Sequence, residues 1–210
     1  MRKKERAEKA VELLEKLYPD AICSLEYDDA FQLLIATRLS AQCTDKRVNM
    51  VTPDLFKEFP TAQKMANADL SRVEELIKTC GLYKTKAKDL IGISNMIVEN
   101  FNGTVPDTIE KLTTLPGVGR KTANLVCGDI YKKPAVVTDT HFIRICNRLG
   151  LVDTTNPLSV ETAMRKLLPP DKSNDFCHRT VLFGRDICTA RKANCERCIL
   201  KDICPKKIGK

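Results

Sequence analysis

The chain has 210 residues, 43% hydrophobic and 30% charged, enough for one large or two small domains around a sizeable core. No apolar run is long enough to span a bilayer, and the charged start, with Glu5 and Glu8, resembles neither a signal nor a transit peptide. The expectation is a cytoplasmic protein, nucleoid-associated if bacterial, with no membrane partner, whose formal net charge of +8 suits a polyanion without establishing one.

Helical periodicity runs from end to end. The start MRKKERAEKAVELLEKLYP places Ala7, Val11, Leu14 and Leu17 near helical spacing. DDAFQLLIATRLSAQ (28–42) puts Phe31, Leu34, Ile35 and Leu39 on one face. LSRVEELIKTCG (70–81) reads as a helix capped by Ser71, with Glu74 completing a capping box and Gly81 as the stop. KTKAKDLIGISNMIVENFNG (84–103) carries Leu90, Ile91, Ile93 and Ile97 and breaks at Asn102-Gly103. VPDTIEKLTTLPG and GRKTANLVCGDIYKK form two helices around a tight turn; THFIRICNRLG, SVETAMRKLLPP and FCHRTVLFGRDIC complete the set. The one strand-like piece, Ala135-Val136-Val137, is too short to build a sheet, so the expected fold class is all-α.

Ten cysteines in a reducing compartment argue against disulfide staples. Cys23, Cys43, Cys80, Cys127, Cys146 and Cys177 sit among apolar or small neighbours and read as small buried hydrophobes. Cys188, Cys195, Cys198 and Cys204 are different: they follow C-x6-C-x2-C-x5-C, with only one close pair. Zinc sites usually show two such pairs, whereas iron–sulfur clusters accept more varied spacings. The spacing indicates a metal centre and leaves the metal open.

The turn LPGVGRKTAN (115–124) has two glycines, Gly117 and Gly119, where a plain helical corner needs one. They let the backbone turn sharply and leave its amides uncovered at the start of the next helix, which makes a seat for a phosphate. Lys121 follows in the first helical turn, beside Arg120 and at the positive end of the helix dipole, where its amine is a candidate nucleophile. A lysine beside a phosphate is more commonly a simple electrostatic contact. Asp139 precedes an amphipathic helix and reads as its N-cap, a role compatible with a catalytic one.

LPGVGRKTAN resembles the helix-hairpin-helix of the endonuclease III family of DNA glycosylases. The resemblance extends in order through SAQCTD (40–45), IKTCGLYKTKA (77–87), TDTHFIRICNRL (138–149) and the terminal cysteines, and so covers nearly the whole chain. It implies that Lys121 is the Schiff-base lysine of a bifunctional enzyme. Adenine glycosylases and mismatch thymine glycosylases of the superfamily carry a different residue there. It implies that Asp139 assists at the sugar, stabilising oxocarbenium-like charge and taking a proton from the amine. Thr138 stands where the family usually has valine. His141, from the family's D-T-H pattern, is either structural or DNA-facing.

The same resemblance assigns Gln42 and Leu82 to the duplex near the lesion; from the sequence alone Leu82 reads as core or linker. Asp45 matches a carboxylate near the pocket, with a capping or scaffold role equally open. The cysteine spacing is the one that holds a [4Fe–4S] cluster in endonuclease III. Arg191 and Lys192, in the loop between the first two ligands, would then meet phosphates at fixed positions, or else stay a solvated loop. The family implies a central helical domain at about 23–133, with residues 1–22 and 134–210 forming a second, cluster-bearing domain. The lesion would bind in the cleft between them, with Lys121 and Asp139 on opposite walls. The function implied is that of a bifunctional N-glycosylase and AP lyase, a monomer acting on double-stranded DNA that contains damaged pyrimidines or abasic sites. The rivals are an adenine or mismatch glycosylase, against which Lys121 argues, and a non-enzymatic DNA-binding scaffold, which would not explain Lys121 and Asp139 together.

Overall fold

In a computed structural model, described over residues 1–206, the chain is helical throughout. The α-helices are α1 (Lys3–Leu17), α2 (Ala30–Ser40), α3 (Asp45–Glu58), α4 (Ala62–Ala66), α5 (Leu70–Ile77), α6 (Tyr83–Phe101), α7 (Ile109–Leu112), α8 (Arg120–Asp129), α9 (Thr140–Arg148), α10 (Pro157–Leu167) and α11 (Ser173–Asp186). A single 3-10 turn, Pro170–Lys172, precedes α11. Among the described residues there is no strand; Ala135, Val136 and Val137 are buried but form none. No helix among these residues is long and apolar enough to cross a membrane.

The chain divides into two compact units, Ser24–Tyr131 and Met1–Cys23 with Lys132–Lys210. Residues 207–210, at the end of the segment expected to carry the cluster, lie outside the described residues.

In the Ser24–Tyr131 unit the organising element is α2. Leu33, Leu34, Ile35, Ala36 and Leu39 have no exposed surface, so the helix is apolar nearly all round and is enclosed by its neighbours. It packs against α3, α6 and α8, while α6 also lies along α4 and α5. Asp29 starts α2 by accepting a hydrogen bond from Gln32 N at 2.8 Å. At the far end of α6, Asn102 (φ 51) and Gly103 (φ 77) turn left-handed and stop the helix where the sequence indicates.

Two local expectations are corrected. The cap of α5 is Asp69, whose carboxylate accepts from Arg72 N at 2.9 Å, and not Ser71, which lies inside the first turn. Starting one residue earlier than Ser71 lets Leu70 join Val73 and Ile77 on the inward face, and the helix ends at Ile77, well before Gly81. Helix α3 does not stand out in the sequence because Pro53 lies inside it. The ring faces outward and forfeits one backbone bond, while Val48, Val51, Leu55 and Phe56 bury the opposite face.

In the other unit, α11 packs on α9 and α1, and α1 also meets α10. Phe142 of α9 and Phe176 of α11 form an edge-to-face pair, with centroids 6.0 Å apart and planes at 82°. Ala7, Ala10, Val11 and Leu14 make the buried stripe of α1; Leu17 is only half-buried. Polar ties fix α1 as well: Lys172 Nζ lies 2.6 Å from Glu15 Oε1, and Tyr18 Oη donates to Asp186 at 3.1 Å. Of the six scattered cysteines, Cys80, Cys127, Cys146 and Cys177 are buried as expected, but Cys23 and Cys43 are only half-buried. Both lie in loops beyond the ends of helices.

Candidate functional site

The hairpin between α7 and α8 shows that its two glycines do different work. Gly117 has φ +67, and a Cβ there would lie 2.5 Å from Arg38 Nε and 2.9 Å from Asp89 Oδ2. Arg38 and Asp89 form a half-buried ion pair directly beneath the turn. Gly119 has φ −90, and nothing lies within 4 Å of a Cβ built there. Its lack of a side chain satisfies no steric demand. It leaves the start of α8 uncovered, because Gly119 caps the helix with no side-chain acceptor. Arg120 and Lys121 follow at the first two helical positions, both exposed.

Gln42 and Leu82 belong to the same unit, and the structure brings their loops together. Gln42 (φ 55) lies just past the C-terminal end of α2 and Leu82 (φ 59) caps the start of α6, both in left-handed backbone. Leu82 is 61% exposed, among the few large apolar side chains turned to solvent. The backbones nearly touch: a Cβ on Gly81 would sit 3.3 Å from Gln42 O. Burial, reinforced by the neighbouring Cys43, pushes the Cys80 thiol up to about 11. Asp45, in the first turn of α3, accepts from Ser24 Oγ at 2.6 Å, a contact that ties down the loop before α2; the cap of α3 is Thr44.

Asp139 caps α9, accepting from Phe142 N at 2.7 Å, and is half-buried. The extended segment leading to it, Ala135–Thr138, is buried. Cys177 holds this segment: its thiol accepts from Val137 N at 3.2 Å and donates to Ser173 O at 3.2 Å. It therefore does more than fill space. His141 is half-buried, with Nδ1 3.2 Å from Arg144 Nη2. Burial first, then Arg144 and Arg185, pulls its pKa down against the opposing pull of Asp139. The ring needs Gly184 opposite, where a Cβ would come within 2.6 Å of Nδ1.

All four terminal cysteines line one pocket, whose apolar walls include Ile145, Leu149, Phe183, Ile187 and Leu200. They are free thiols, and among the described residues no three His, Cys, Asp or Glu side chains are gathered as ligands of a single ion. The loop from Cys188 is fixed by ordinary contacts. Arg148 donates to Cys188 Sγ at 3.2 Å, to Thr189 O at 2.7 Å and to Ala190 O at 3.0 Å. Cys188 and Ala193 form an isolated antiparallel bridge, and Thr189 Oγ1 donates to Lys192 O at 2.6 Å. Arg191 and Lys192 are exposed at its tip.

Sequence reasoning missed several of these supports. Lys86 is fully buried and donates from Nζ to Leu39 O at 2.7 Å. Its signal was its register, since residues 86, 90, 93 and 97 share the inward stripe of α6. Arg38, Asp89, Cys177 and Arg148 carried no comparable signal, because their partners lie about 40 or more positions away in the chain.

Residues 35–170 match the model of the HhH-GPD superfamily base excision DNA repair proteins. Endonuclease III of Synechocystis sp. is 47% identical over 204 residues, covering 97% of this chain and 93% of that protein. Among solved structures, a non-covalent endonuclease III–DNA complex superposes with a TM-score of 0.91 at 37% identity, over 98% of this chain and 97% of the other. A trapped endonuclease III–DNA covalent intermediate matches with the same score, identity and coverage. The identity and the coverage of both chains leave no part of the fold unaccounted for, and the chain belongs to the endonuclease III family of the HhH-GPD superfamily of base excision DNA repair proteins.

Proposed function

We propose that this chain is a bifunctional DNA N-glycosylase and AP lyase that removes oxidised pyrimidines from double-stranded DNA in base excision repair. The observation that carries the reading is Lys121, an exposed amine in the first turn of a glycine-capped helix, in a chain similar over its length to one trapped covalently on DNA. Gly119 and Arg120 offer a phosphate its uncovered amides and a cation, and Gly117 shapes the turn that presents them. Gln42 and Leu82 enter the duplex as the damaged nucleotide leaves the stack, Leu82 filling space and Gln42 hydrogen-bonding the orphaned base.

Lys121 attacks C1′ of the extruded nucleotide as the free amine. The N–C1′ bond forms, the glycosidic bond breaks with the base as leaving group, and opening of the sugar ring leaves an imine. Asp139 stabilises the oxocarbenium-like charge at C1′ and takes the proton released by the amine. The imine acidifies C2′; loss of that proton expels the 3′ oxygen and cuts the strand 3′ to the lesion. His141 fixes the start of the helix that Asp139 caps and offers its outer edge to the backbone. Both reacting side chains come from one chain, so a monomer suffices. The work belongs in the cytoplasm at the nucleoid on this reading, which the bacterial source of the relatives supports.

Cys188, Cys195, Cys198 and Cys204 would hold a [4Fe–4S] cluster. Four free thiols share one apolar pocket without being gathered on one point, which suits a group that spans between them better than one ion. When bound, the cluster would supply metal–thiolate bonds from these four cysteines that hold the C-terminal segment, and the reaction at the sugar needs no electron from it. Arg191 and Lys192, on a loop already fixed by Arg148, contact phosphates.

The test is incubation with duplexes containing thymine glycol, an abasic site or an A·G mismatch, with borohydride present. The expected result is a denaturant-stable protein–DNA adduct on the first two, abolished in Lys121→Gln, which still binds DNA. An adduct that survives in Lys121→Gln would overturn the assignment of the nucleophile, and cleavage only at the mismatch would overturn the lesion class.

A further inference from the structure

Gln42 and Leu82 are non-glycine residues in left-handed backbone at exposed positions, a geometry that persists only where the surroundings over-determine it. One residue is bonded toward both. Lys86 lies in the first turn and a half of α6, and its backbone N–H donates to Leu82 O at 3.0 Å. Its side chain, with no exposed surface, crosses to the other loop, and Nζ donates to Leu39 O at 2.7 Å, three residues before Gln42. The Gly81–Gln42 backbone approach closes the same joint.

A buried ammonium is an expensive way to make one hydrogen bond, since a neutral donor would satisfy Leu39 O without desolvating a charge. Burial does lower the Lys86 pKa, with Arg38 acting the same way and the two thiols opposing it. What the charge offers is a short, stiff bond aimed at carbonyls in the last turn of α2, where the helix dipole is negative. A residue that only filled space on the stripe of Leu90, Ile93 and Ile97 would be apolar.

We propose that Lys86 is a positioning residue that fixes Gln42 and Leu82 as one rigid reading head, so that nucleotide extrusion depends on it while chemistry at the sugar does not. This rests on the reading of Gln42 and Leu82 as the residues that enter the duplex.

Lys86→Met keeps the length and the burial and removes the hydrogen bond. The assay compares base release from a thymine glycol duplex with borohydride trapping on a single-stranded abasic oligonucleotide, which needs no extrusion. Misplaced insertion should lower the duplex rate about tenfold to a hundredfold while single-stranded trapping stays within about twofold. A parallel fall on both substrates, or no fall on the duplex, overturns the proposal. Should Lys86→Met not accumulate as folded protein, Gly81→Ala strains the same joint by pressing on Gln42 O and leaves the lysine in place. It should show the same selectivity in milder form, and a parallel loss or none overturns the proposal equally. If the wild-type chain traps on neither substrate, the glycosylase and lyase reading itself has failed, and this one falls with it.

Discussion

Replacing each hairpin glycine by alanine should separate stability from binding. At Gly117, alanine must adopt φ +67, which costs about 1–2 kcal/mol for an L-residue. Its Cβ would also stand 2.5 Å from Arg38 Nε and 2.9 Å from Asp89 Oδ2. Those atoms are not the free end of a mobile side chain, because Arg38 and Asp89 are paired and their side chains are only 14% and 21% exposed. Displacing the pair adds roughly another 1–2 kcal/mol, in the range of a lost hydrogen bond to a charged partner. The total of about 2–4 kcal/mol corresponds to a fall in Tm of roughly 5–15 °C for a chain of this size. Gly119→Ala meets open space at an ordinary φ, so its cost is that of alanine at an N-cap, about 1 kcal/mol or less. The added methyl lies over the uncovered start of α8, and affinity for undamaged duplex should fall. Thermal unfolding followed by circular dichroism, with duplex binding by fluorescence anisotropy, measures both. Equal losses of Tm in the two variants would refute the steric argument at Gly117. Unchanged binding in Gly119→Ala would remove the start of α8 from the DNA contact.

Three further outcomes are expected. Asp139→Asn keeps an N-cap acceptor for Phe142 N, so Tm should barely move, whereas base release should slow by about a hundredfold in single-turnover assays. Cys195→Ser should lower the iron and sulfide content measured after anaerobic purification and reduce the yield of folded protein, because ligation is coupled to folding; stoichiometric zinc without iron in the wild type would refute the cluster. Arg191→Ala combined with Lys192→Ala should weaken binding to damaged and undamaged duplex alike and lower the slope of log K against log salt by roughly two. An unchanged slope would return these residues to solvent.

The helices were legible in the sequence wherever a periodic apolar stripe ended on a strong stop signal. The stretch Leu90, Ile93, Ile97, Asn102, Gly103 is the clearest case, since the left-handed turn at Asn102 and Gly103 follows from those residue types themselves. The start of α5 was misread because Ser71 and Glu74 form a plausible local cap. The choice of Asp69 lets half-buried Leu70 share the inward face with buried Val73 and Ile77, which is a tertiary preference. Helix α3 was hidden for the converse reason, since the local signal of Pro53 opposes helix and is outweighed by the buried face of Val48, Val51, Leu55 and Phe56. Local rules fail in both places where packing decides between alternatives of similar cost.

For the proposed site, the groups assigned to chemistry carry signals in the sequence, whereas the groups that hold them still do not. A nucleophile, a capping carboxylate and a cysteine spacing are readable because each is defined by residue type and short-range order. Gly117 appeared as a flexible turn residue, whereas its strict requirement comes from Arg38 and Asp89 beneath it. Cys177 appeared as a small hydrophobe, whereas its thiol anchors Val137, two residues before Asp139, through a bond spanning 40 positions. Lys86 does not stand out among the lysines of KTKAKDL, although its register with Leu90 and Ile93 marks it for burial. In each case the partner is distant in sequence, and no local pattern can encode it. The division has a physical basis: reacting groups must reach a substrate and so sit on exposed turns with local signatures. The groups that orient them must exclude water, and burial is settled only when the whole unit packs.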